Sequence, residues 1–452
     1  MKYCFALLFC MTTLFVTQAQ TVPDEDMDNG SERHPAKVFF EGGKLHFKSR
    51  NDKFHLWLDN RIYVDAAYYS PSTDIDGLQS KPNKDLEEDD GVFRFNNGVI
   101  IRRARFAVKA TLYERWFAEL DLDFAYNEVE IKDMFLGYRF NDHVWIKAGN
   151  FKEPMSMERV TSSKYLTTME RPMVIEMFAG GRRLGLAATG WGKHWWASGG
   201  VFGREVDIIQ KEKNRGSDGY GFTGRVAISP VVRNDLTLHV GGYATWRKPD
   251  GAGMTDRTVE FRTFPESRVD RRRFVRAEIE NVNDYAIFGV ELAARWNKLL
   301  LYGEYLYTRY GYEGDTKVQL PNAVFNGWYA TASYMILGQN RRYSPEDAEF
   351  GPMDVRRRGG NLEIAGRVST VNLNDFHDPS AIITGGKALN YTASLNWYPV
   401  RNVLIGLNYT FVDNDKYADD KGHVTSNGKP LSQSLPEGLD FSIFHMRLMV
   451  SF

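Results

Sequence analysis

Basic residues form a row in the stretch 97–109, which has the sequence Asn-Gly-Val-Ile-Ile-Arg-Arg-Ala-Arg-Phe-Ala-Val-Lys. Guanidinium and ammonium groups form charge-assisted hydrogen bonds with phosphate oxygens, so such a row can replace water that an anion loses in a narrow passage. In an extended strand alternate side chains lie on opposite faces, which places Arg103, Arg105 and Lys109 together. The pattern predicts a basic wall that can bind anions. The opposite, apolar face contains Ile100, Ala104, Phe106, Val108, Ala110 and Leu112.

The next predicted strand offers carboxylates to this row. In the stretch 116–124 apolar and acidic residues alternate, and the short turn before it places Lys109 opposite Glu119 and Arg105 opposite Asp123. Opposite charges that face each other across antiparallel strands attract. We therefore expect these four residues to form two cross-strand ion pairs.

The first two arginines of the row are different from the others. Arg103 has no acidic residue opposite it in this register. Arg102 has the parity of the apolar face, which an arginine tolerates only near a strand end or at a β-bulge. For each lumen arginine, a structural ion pair with a carboxylate is the alternative interpretation.

Alternation of the same kind defines the strands that must carry these residues. Apolar side chains take every second position in the last nine residues, Phe444–Phe452, and again between Leu56 and Tyr68. A chain that ends on an aromatic residue inside such a strand is expected to pair its last strand with its first, which removes both sheet edges. The alternative is the final strand of a soluble sandwich.

Sixteen alternating segments occur along the chain, an even number that is typical of bacterial outer-membrane barrels. Most connections alternate between short turns, expected in the periplasm, and long loops, expected outside. The sequence therefore predicts an all-β fold, a transmembrane antiparallel β-barrel of about sixteen strands. The segments begin near residues 54, 98, 116, 129, 143, 184, 195, 219, 235, 285, 299, 325, 360, 387, 402 and 442.

The start of the chain indicates export to the outer membrane. A lysine and an apolar run precede the small-residue segment that ends at Ala19, so residues 1–19 are expected to be a cleavable signal peptide. Residues 20–53 are expected to form a periplasmic leader, and residues 54–452 the barrel domain. Both cysteines lie within the signal, so we expect no disulfide in the mature chain.

Composition limits the possible functions. Aromatic residues make up 14% of the chain and charged residues 25%, a mixture that a barrel with a wet lumen explains. The formal net charge of −1 argues against nucleic-acid binding, so any attraction for anions must be local. No cofactor or metal is expected, because the acidic run 87–90 lacks the ligand spacing of a calcium loop. The arginine-rich stretch 268–276 is expected to be a solvated external loop. The alternatives are attraction of anions toward the mouth and binding of lipopolysaccharide phosphates.

Seven short motifs occur in a fixed order and spacing: Ile101–Arg105, Glu119–Phe124, Lys132–Tyr138, Gly149–Pro154, Thr161–Arg171, Asn390–Pro399 and Leu407–Tyr409. Together they resemble the phosphate-selective porin O and P family. The similarity extends from about residue 50 to the last residue.

The resemblance implies a trimeric, sixteen-stranded outer-membrane channel whose third loop, here residues 151–183, folds inward and narrows the pore. The family binds anions between arginines of the wall and basic residues of this loop. Matched motif by motif, Arg102 and Arg103 take the wall role, and Lys164 takes the loop role.

Two residues depart from the family pattern. Arg159 stands where phosphate-selective members have a lysine, which retains the charge but changes the donor geometry. Lys132 stands where some members have an acidic residue, which leaves the selectivity open. The expected partners are small anions such as phosphate, together with outer-membrane lipid and lipopolysaccharide.

The expected function is therefore passive, anion-selective diffusion of phosphate or polyphosphate. A porin for other nutrients without phosphate selectivity is one alternative, and a structural or adhesive barrel is another. An enzyme is not expected, because no Ser/His/Asp arrangement and no Gly-x-Ser-x-Gly motif is visible.

Overall fold

The computed structural model describes residues 36–70, 94–206, 219–249, 258–279, 282–312, 323–377, 382–420, 435 and 437–452. Nineteen strands in these ranges belong to one antiparallel sheet, and four short strands form two hairpins outside it. The strands are β1 (Lys37–Glu41), β2 (Lys44–Lys48), β3 (Phe54–Leu58), β4 (Arg61–Ser70), β5 (Gly98–Leu112), β6 (Trp116–Asp123), β7 (Glu130–Asn141), β8 (Val144–Lys152), β9 (Arg182–Trp191), β10 (Trp195–Phe202), β11 (Tyr220–Val232), β12 (Leu236–Lys248), β13 (Val259–Thr263), β14 (Val275–Ile279), β15 (Val282–Trp296), β16 (Leu299–Tyr312), β17 (Ala323–Leu337), β18 (Tyr343–Ser344), β19 (Glu349–Phe350), β20 (Asn361–Asp375), β21 (Ile383–Val400), β22 (Val403–Asn414) and β23 (Phe441–Ser451).

The large sheet closes on itself. The last strand, β23, pairs with β4 in antiparallel register, with Arg447 opposite Asp65. Strands β3 and β4 both pair with β5, and together they form one wall strand that is interrupted at Asp59 and Asn60. With β5–β12, β15–β17 and β20–β23, this makes a closed barrel of sixteen wall strands, as predicted. The predicted strand starts lie within four residues of the observed ones.

The barrel wall has an apolar outer face and a charged inner face. On β4, Ile62 and Tyr68 are 45% and 47% exposed, whereas Arg61 and Asp65 are buried. The same alternation of exposed and buried positions continues along β23. Such an outer surface is unfavourable in water but matches the hydrocarbon of a bilayer, while the inner face can surround polar groups.

A hairpin of β1 and β2 extends the sheet beside the sixteen wall strands. Strand β2 pairs with β3, and the ring of His46 stacks between those of Phe39 and His55, with ring centres 5.1 and 5.2 Å away. This hairpin lies within the predicted leader, residues 20–53. The predicted signal peptide, residues 1–19, and the acidic run 87–90 lie outside the described residues.

Two short helices, Met157–Val160 and Met173–Phe178, lie in the connection between β8 and β9. The hydroxyl of Ser156 caps the first helix by accepting a hydrogen bond of 3.0 Å from the backbone N–H of Arg159. In the part of the chain that the structure describes, no helix has the length and apolar character needed to cross a membrane.

The second helix packs against the inner face of the wall. Val174 and Phe178 are buried, and the ring centre of Phe178 lies 5.6 Å from that of Phe261 in β13. Gly327 of β17 permits this close approach, because a Cβ atom there would lie 2.7 Å from Cγ2 of Val174. Apolar packing thereby holds this helix against β17 and against β13.

Closure of the barrel can be tested at Phe452. Its backbone exchanges two hydrogen bonds of 2.7 and 3.1 Å with Asn60, and its side chain is 48% exposed. Replacement by serine removes apolar surface that faces lipid, worth about 2 kcal/mol for a full aromatic side chain. We expect Phe452→Ser to lower the yield of heat-modifiable barrel several-fold on electrophoresis, and Ser451→Ala, the adjacent control, to leave it unchanged. Equal yields from the two variants would contradict this role of Phe452.

Candidate functional site

A β-bulge in β5 places two consecutive arginines on the inner face. The register between β4 and β5 shifts just after Tyr63, so that Arg102 is skipped in the pairing. Arg102 and Arg103 are both buried, with 4% and 8% of their surfaces exposed. The bulge explains how Arg102 can lie on the inner face despite its parity. It also exchanges the inner and outer positions of the β5 residues that precede Arg102. Ile101 is therefore exposed, and the prediction that Ile100 faces lipid is wrong, because Ile100 packs against the inner apolar cluster.

Both predicted cross-strand ion pairs are confirmed. Arg105 lies opposite Asp123, with Nε 2.9 Å from Oδ2, and Lys109 lies opposite Glu119, with Nζ 3.1 Å from Oε2. Arg105 also lies 3.3 Å from a carboxylate oxygen of Asp121. The basic row after the bulge is thus compensated by the neighbouring strand.

Arg102 is compensated by a carboxylate of the β8–β9 connection. Its Nε and Nη2 donate to the two oxygens of Glu170 at 2.7 and 2.8 Å. Arg447 of β23 donates to the same Glu170 at 2.7 Å and to both oxygens of Asp65 at 2.7 and 2.6 Å. Sequence reasoning missed Glu170 and Arg447, because no local pattern pairs residues 277 positions apart.

Arg103 has no such compensation. Among the described residues, no carboxylate forms a salt bridge with its guanidinium group, and its buried Nε lacks a hydrogen-bond partner. The guanidinium carbon instead lies 5.7 Å from the ring centre of Tyr63. A cation–π contact of this kind stabilises the position but leaves the positive charge in place. This agrees with the strand register, which left Arg103 without a facing carboxylate.

Lys164 of the β8–β9 connection contacts the first wall strand at its interruption. Its Nζ lies 2.6 Å from Oδ1 of Asp59. Burial lowers the pKa of the Lys164 ammonium group to about 8, and the charge of Arg61 adds to this effect, whereas Asp59 opposes it. Lys164 is therefore a cation that keeps its proton at neutral pH and is paired with an acidic residue.

Arg159 and Lys132 also have partners. Arg159 donates from Nε to a backbone carbonyl oxygen at 2.6 Å and lies 3.4 Å from a carboxylate oxygen of Glu176. Lys132 forms an ion pair with Glu130 on the same strand, β7. Of the five residues that the sequence assigned to the anion site, Arg103 alone lacks a carboxylate partner among the residues described.

Two carboxylates on the other side of the barrel hold the start of the connection. Glu304 of β16 accepts hydrogen bonds from the hydroxyl of Ser156 at 3.0 Å and from the backbone N–H of Glu158 at 2.9 Å. Glu291 of β15 accepts one from the backbone N–H of Met157 at 2.8 Å. These N–H groups belong to the first turn of a helix, where backbone donors lack partners within the helix and attract negative charge.

Arginines of the same side hold the backbone carbonyl groups of the connection. Arg341 donates from Nε to the carbonyl oxygen of Tyr165 at 2.9 Å, and Arg367 donates to that of Glu170 at the same distance. Arg367 has the inward parity of β20, which is visible in the sequence, whereas Arg341 lies in the linker after β17. These arginines, Glu291 and Glu304 contact the connection at several points between Ser156 and Glu170.

Two other long linkers also contact groups inside the barrel. Arg268, in the linker between β13 and β14, lies 2.7 Å from a carboxylate oxygen of Glu176. The prediction of a solvated loop is therefore wrong at Arg268, because its side chain is only 30% exposed and is paired with the half-buried Glu176. In the linker between β17 and β20, the carbonyl oxygen of Glu346 accepts a hydrogen bond of 2.8 Å from Nε1 of Trp196.

A cavity of about 600 Å³ lies between the β8–β9 connection and the wall formed by β4–β10. All five residues that the sequence assigned to the anion site line it. Of the described residues that form its lining, fifteen are basic and eleven are acidic, which gives a local excess of four positive charges. The basic residues are Lys44, Arg61, Arg102, Arg103, Arg105, Lys109, Lys132, Lys147, Lys152, Arg159, Lys164, Arg171, Arg182, Arg268 and Arg271.

One acidic cluster in the cavity wall resembles a metal site in its geometry. Carboxylate oxygens of Glu119, Asp121 and Asp133 lie within 4.8 Å of one another. Each of these carboxylates, however, lies 2.6–3.3 Å from a lysine or arginine nitrogen of the wall. These ion pairs supply the positive charge that a metal would provide, so the cluster is explained without one.

A closed sixteen-stranded barrel with an apolar exterior, a charged interior and an internal polar cavity is the fold of an outer-membrane porin. The solved structure of an anion-selective porin from Comamonas acidovorans has a similar fold. Its TM-score is 0.50 at 11% sequence identity, and the alignment covers 88% of this chain and all of that one.

Sequence comparison identifies the family. Residues 82–452 match the family described as phosphate-selective porin O and P. Porin O of Pseudomonas aeruginosa is 21% identical over 414 residues, which cover 85% of this chain and 89% of that protein. An uncharacterized protein of Caulobacter vibrioides is 26% identical over 327 residues, and the match spans 70% of this chain but only 63% of that relative. The chain belongs to the phosphate-selective porin O and P family.

The attachment of the β8–β9 connection can be tested at Glu170. Glu170→Gln leaves Arg102 without a carboxylate partner and leaves Arg447 with Asp65 alone. Removal of one partner from a buried ion pair costs about 3–5 kcal/mol. We expect noisier single-channel currents in a planar bilayer and a lower unfolding temperature. Glu130→Gln, which removes the exposed partner of Lys132, is the control and should match the unmodified protein. Indistinguishable current noise in both variants would show that Glu170 does not hold the connection.

Proposed function

We propose that the chain is a passive, anion-selective diffusion channel of the outer membrane, with phosphate or polyphosphate as its solute. In this proposal, residues 153–181 of the β8–β9 connection are an inward-folded constriction loop. The cavity beside this loop is the narrow part of the permeation path. On one side, Lys164 of the loop contacts Asp59, and Glu170 of the loop contacts Arg102. On the other side, the backbone N–H of Glu158 donates to Glu304. These contacts support this assignment.

The proposal rests on the positive charge of Arg103, which has no salt-bridge partner among the described residues. Arg103 lines the cavity, its Nε has no hydrogen-bond partner, and no described carboxylate forms a salt bridge with its guanidinium group. Planar guanidinium groups donate two parallel hydrogen bonds to a phosphate or carboxylate, which an ammonium group cannot do. An anion in the passage can therefore replace part of its lost hydration with donors of Arg103.

A single uncompensated arginine suits diffusion better than a cluster of them. Two unit charges 4 Å apart attract by about 1 kcal/mol in a water-like medium and by about 4 kcal/mol at the effective dielectric constant near a protein surface. Attraction of this size favours entry of an anion but still permits its release, which conduction requires. The neighbouring ion pairs, such as Arg105 with Asp123, give the wall a defined shape without adding to the net attraction.

The ion pairs of the other predicted residues favour a second candidate function. Arg102, Arg159, Lys132 and Lys164 each have a carboxylate partner, so fewer donors are free to select phosphate. A general anion porin would pass chloride and organic anions as readily as phosphate. Inhibition of the chloride current by phosphate distinguishes the two, because only a channel that binds phosphate in its path is blocked. A structural barrel would show no channel current at all.

Export and assembly complete the proposal. We propose that residues 1–19 direct export, that residues 54–452 form the barrel domain, and that three copies assemble in the outer membrane. Membership of the porin O and P family supports these assignments. The described residues act in this proposal as a channel and not as an enzyme.

Selectivity should depend on Arg103 more than on any paired cation of the wall. Arg103→Gln removes the uncompensated charge, and we expect the permeability ratio of chloride to potassium to fall about five-fold, which corresponds to about 1 kcal/mol. The zero-current potential in a gradient of potassium chloride measures this ratio. Measurements at or below physiological ionic strength avoid the screening of charges at high salt.

Two controls separate the role of Arg103 from a general loss of charge. The double variant Arg105→Gln/Asp123→Asn removes a whole ion pair and should keep the anion preference. Arg103→Lys keeps the charge but loses the two-donor geometry, so it should retain anion preference and lose most of the phosphate block. An unchanged zero-current potential in Arg103→Gln would place the selectivity site elsewhere, and absence of phosphate block in the unmodified protein would leave the general anion porin.

A further inference from the structure

We infer that the barrel carries a phospholipid-binding crevice on its rim, independent of the solute that the pore conducts. A cavity of about 1150 Å³ lies where the turns after β11 and β15 meet the first residues of the linker after β17. Its lining includes basic and aromatic side chains, among them Arg233, Arg295, Trp296, Lys298, Tyr334 and Arg342. The cavity lies at the end of the barrel where most connections are short.

The crevice has an excess of positive charge. Its described lining includes four basic residues and no acidic one, although Arg233 pairs with Asp235 and Arg342 pairs with Asp354 just outside it. Lys298 forms a hydrogen bond of 3.2 Å with a backbone carbonyl oxygen and, within the described ranges, has no carboxylate partner. At least one cation of the crevice is therefore free to bind an anionic group.

Arg295 adds a second cation without an acidic partner. Its side chain is 8% exposed and donates to backbone carbonyl groups and to the hydroxyl of Thr237 at 2.9 Å. Its buried Nε and the Nδ2 of Asn340, which also lines the crevice, have no hydrogen-bond partner among the described residues. An anion that enters between Lys298 and Arg295 would supply acceptors that the chain itself does not provide there.

The outer side of the crevice is apolar and continuous with the lipid-facing surface. Trp296 lies opposite Leu299, and Leu299 lies opposite Tyr334 on the next strand, so the three side chains are neighbours. Trp296 and Tyr334 are 63% and 46% exposed. Tryptophan and tyrosine prefer the level of the lipid headgroups, where an apolar ring can contact acyl chains beside polar groups.

The combination of these two surfaces selects a phospholipid over a soluble anion. A free phosphate would contact only the basic groups, whereas a phospholipid places its phosphate against Lys298 and Arg295 and its acyl chains against Trp296 and Leu299. The net positive charge of the crevice increases its affinity for an anionic headgroup such as that of phosphatidylglycerol. Each basic residue near a membrane surface contributes about 1 kcal/mol, which is about five-fold in affinity.

The test is a lipid titration of the purified full-length protein in detergent, with bound lipid counted by native mass spectrometry. The probe is dioleoyl phosphatidylglycerol. We expect Lys298→Gln to weaken the tightest binding about five-fold, and Lys298→Glu to weaken it further. Lys193→Glu is the matched control, because Lys193 is an exposed lysine in the turn between β9 and β10 and does not line the crevice.

Three results would overturn the proposal. Equal affinity in Lys298→Glu and the unmodified protein would show that the crevice does not bind the headgroup. An equal loss in Lys193→Glu and Lys298→Glu would show a diffuse attraction of the rim. Displacement of the lipid by millimolar inorganic phosphate would show a site for free anions, since phosphate alone cannot replace the apolar contacts.

Discussion

The carboxylate of Glu170 is the interaction on which the interior of this barrel depends. It receives hydrogen bonds from Arg102 of β5 and Arg447 of β23, and Arg447 is bound in turn to Asp65 of β4. These strands flank the seam at which the sheet closes, so one group links barrel closure to the position of the β8–β9 connection. Removal of one partner from a buried ion pair is strongly destabilising, so the loss of Glu170 should disturb both the closure of the barrel and the position of the connection.

In the proposed channel, attachment of the connection to one wall determines the path of the solute. Glu304, Arg341 and Arg367 bind its backbone and side chains on the far side, and the remaining cavity follows β4–β10. Most charges along that cavity are paired, which gives the passage a rigid polar lining with a small positive excess. In the proposed channel, the guanidinium group of Arg103 therefore has a large influence on which ions enter, because the neighbouring ion pairs contribute little net electric field.

Strand positions and local pairs could be predicted from the sequence, because both follow from alternation and a short turn. The pairs Arg105–Asp123 and Lys109–Glu119 are of this kind. The bulge at Arg102 could not be located, because it depends on how β4 pairs with β5, and these strands are far apart in the sequence. Glu170, which neutralises Arg102, was also not foreseen, and neither was the inward position of Arg268. These contacts join residues far apart in the chain, and nothing in the local pattern specifies them.

The most direct test of the central claim, that Arg103 is the anion contact of the passage, is a crystal structure of the protein soaked with arsenate, a close analogue of phosphate. Diffraction data collected near the arsenic absorption edge locate the anion without ambiguity. We expect an anomalous peak in the cavity within hydrogen-bond distance of the Arg103 guanidinium group. Peaks elsewhere in the barrel, with none beside Arg103, would contradict it.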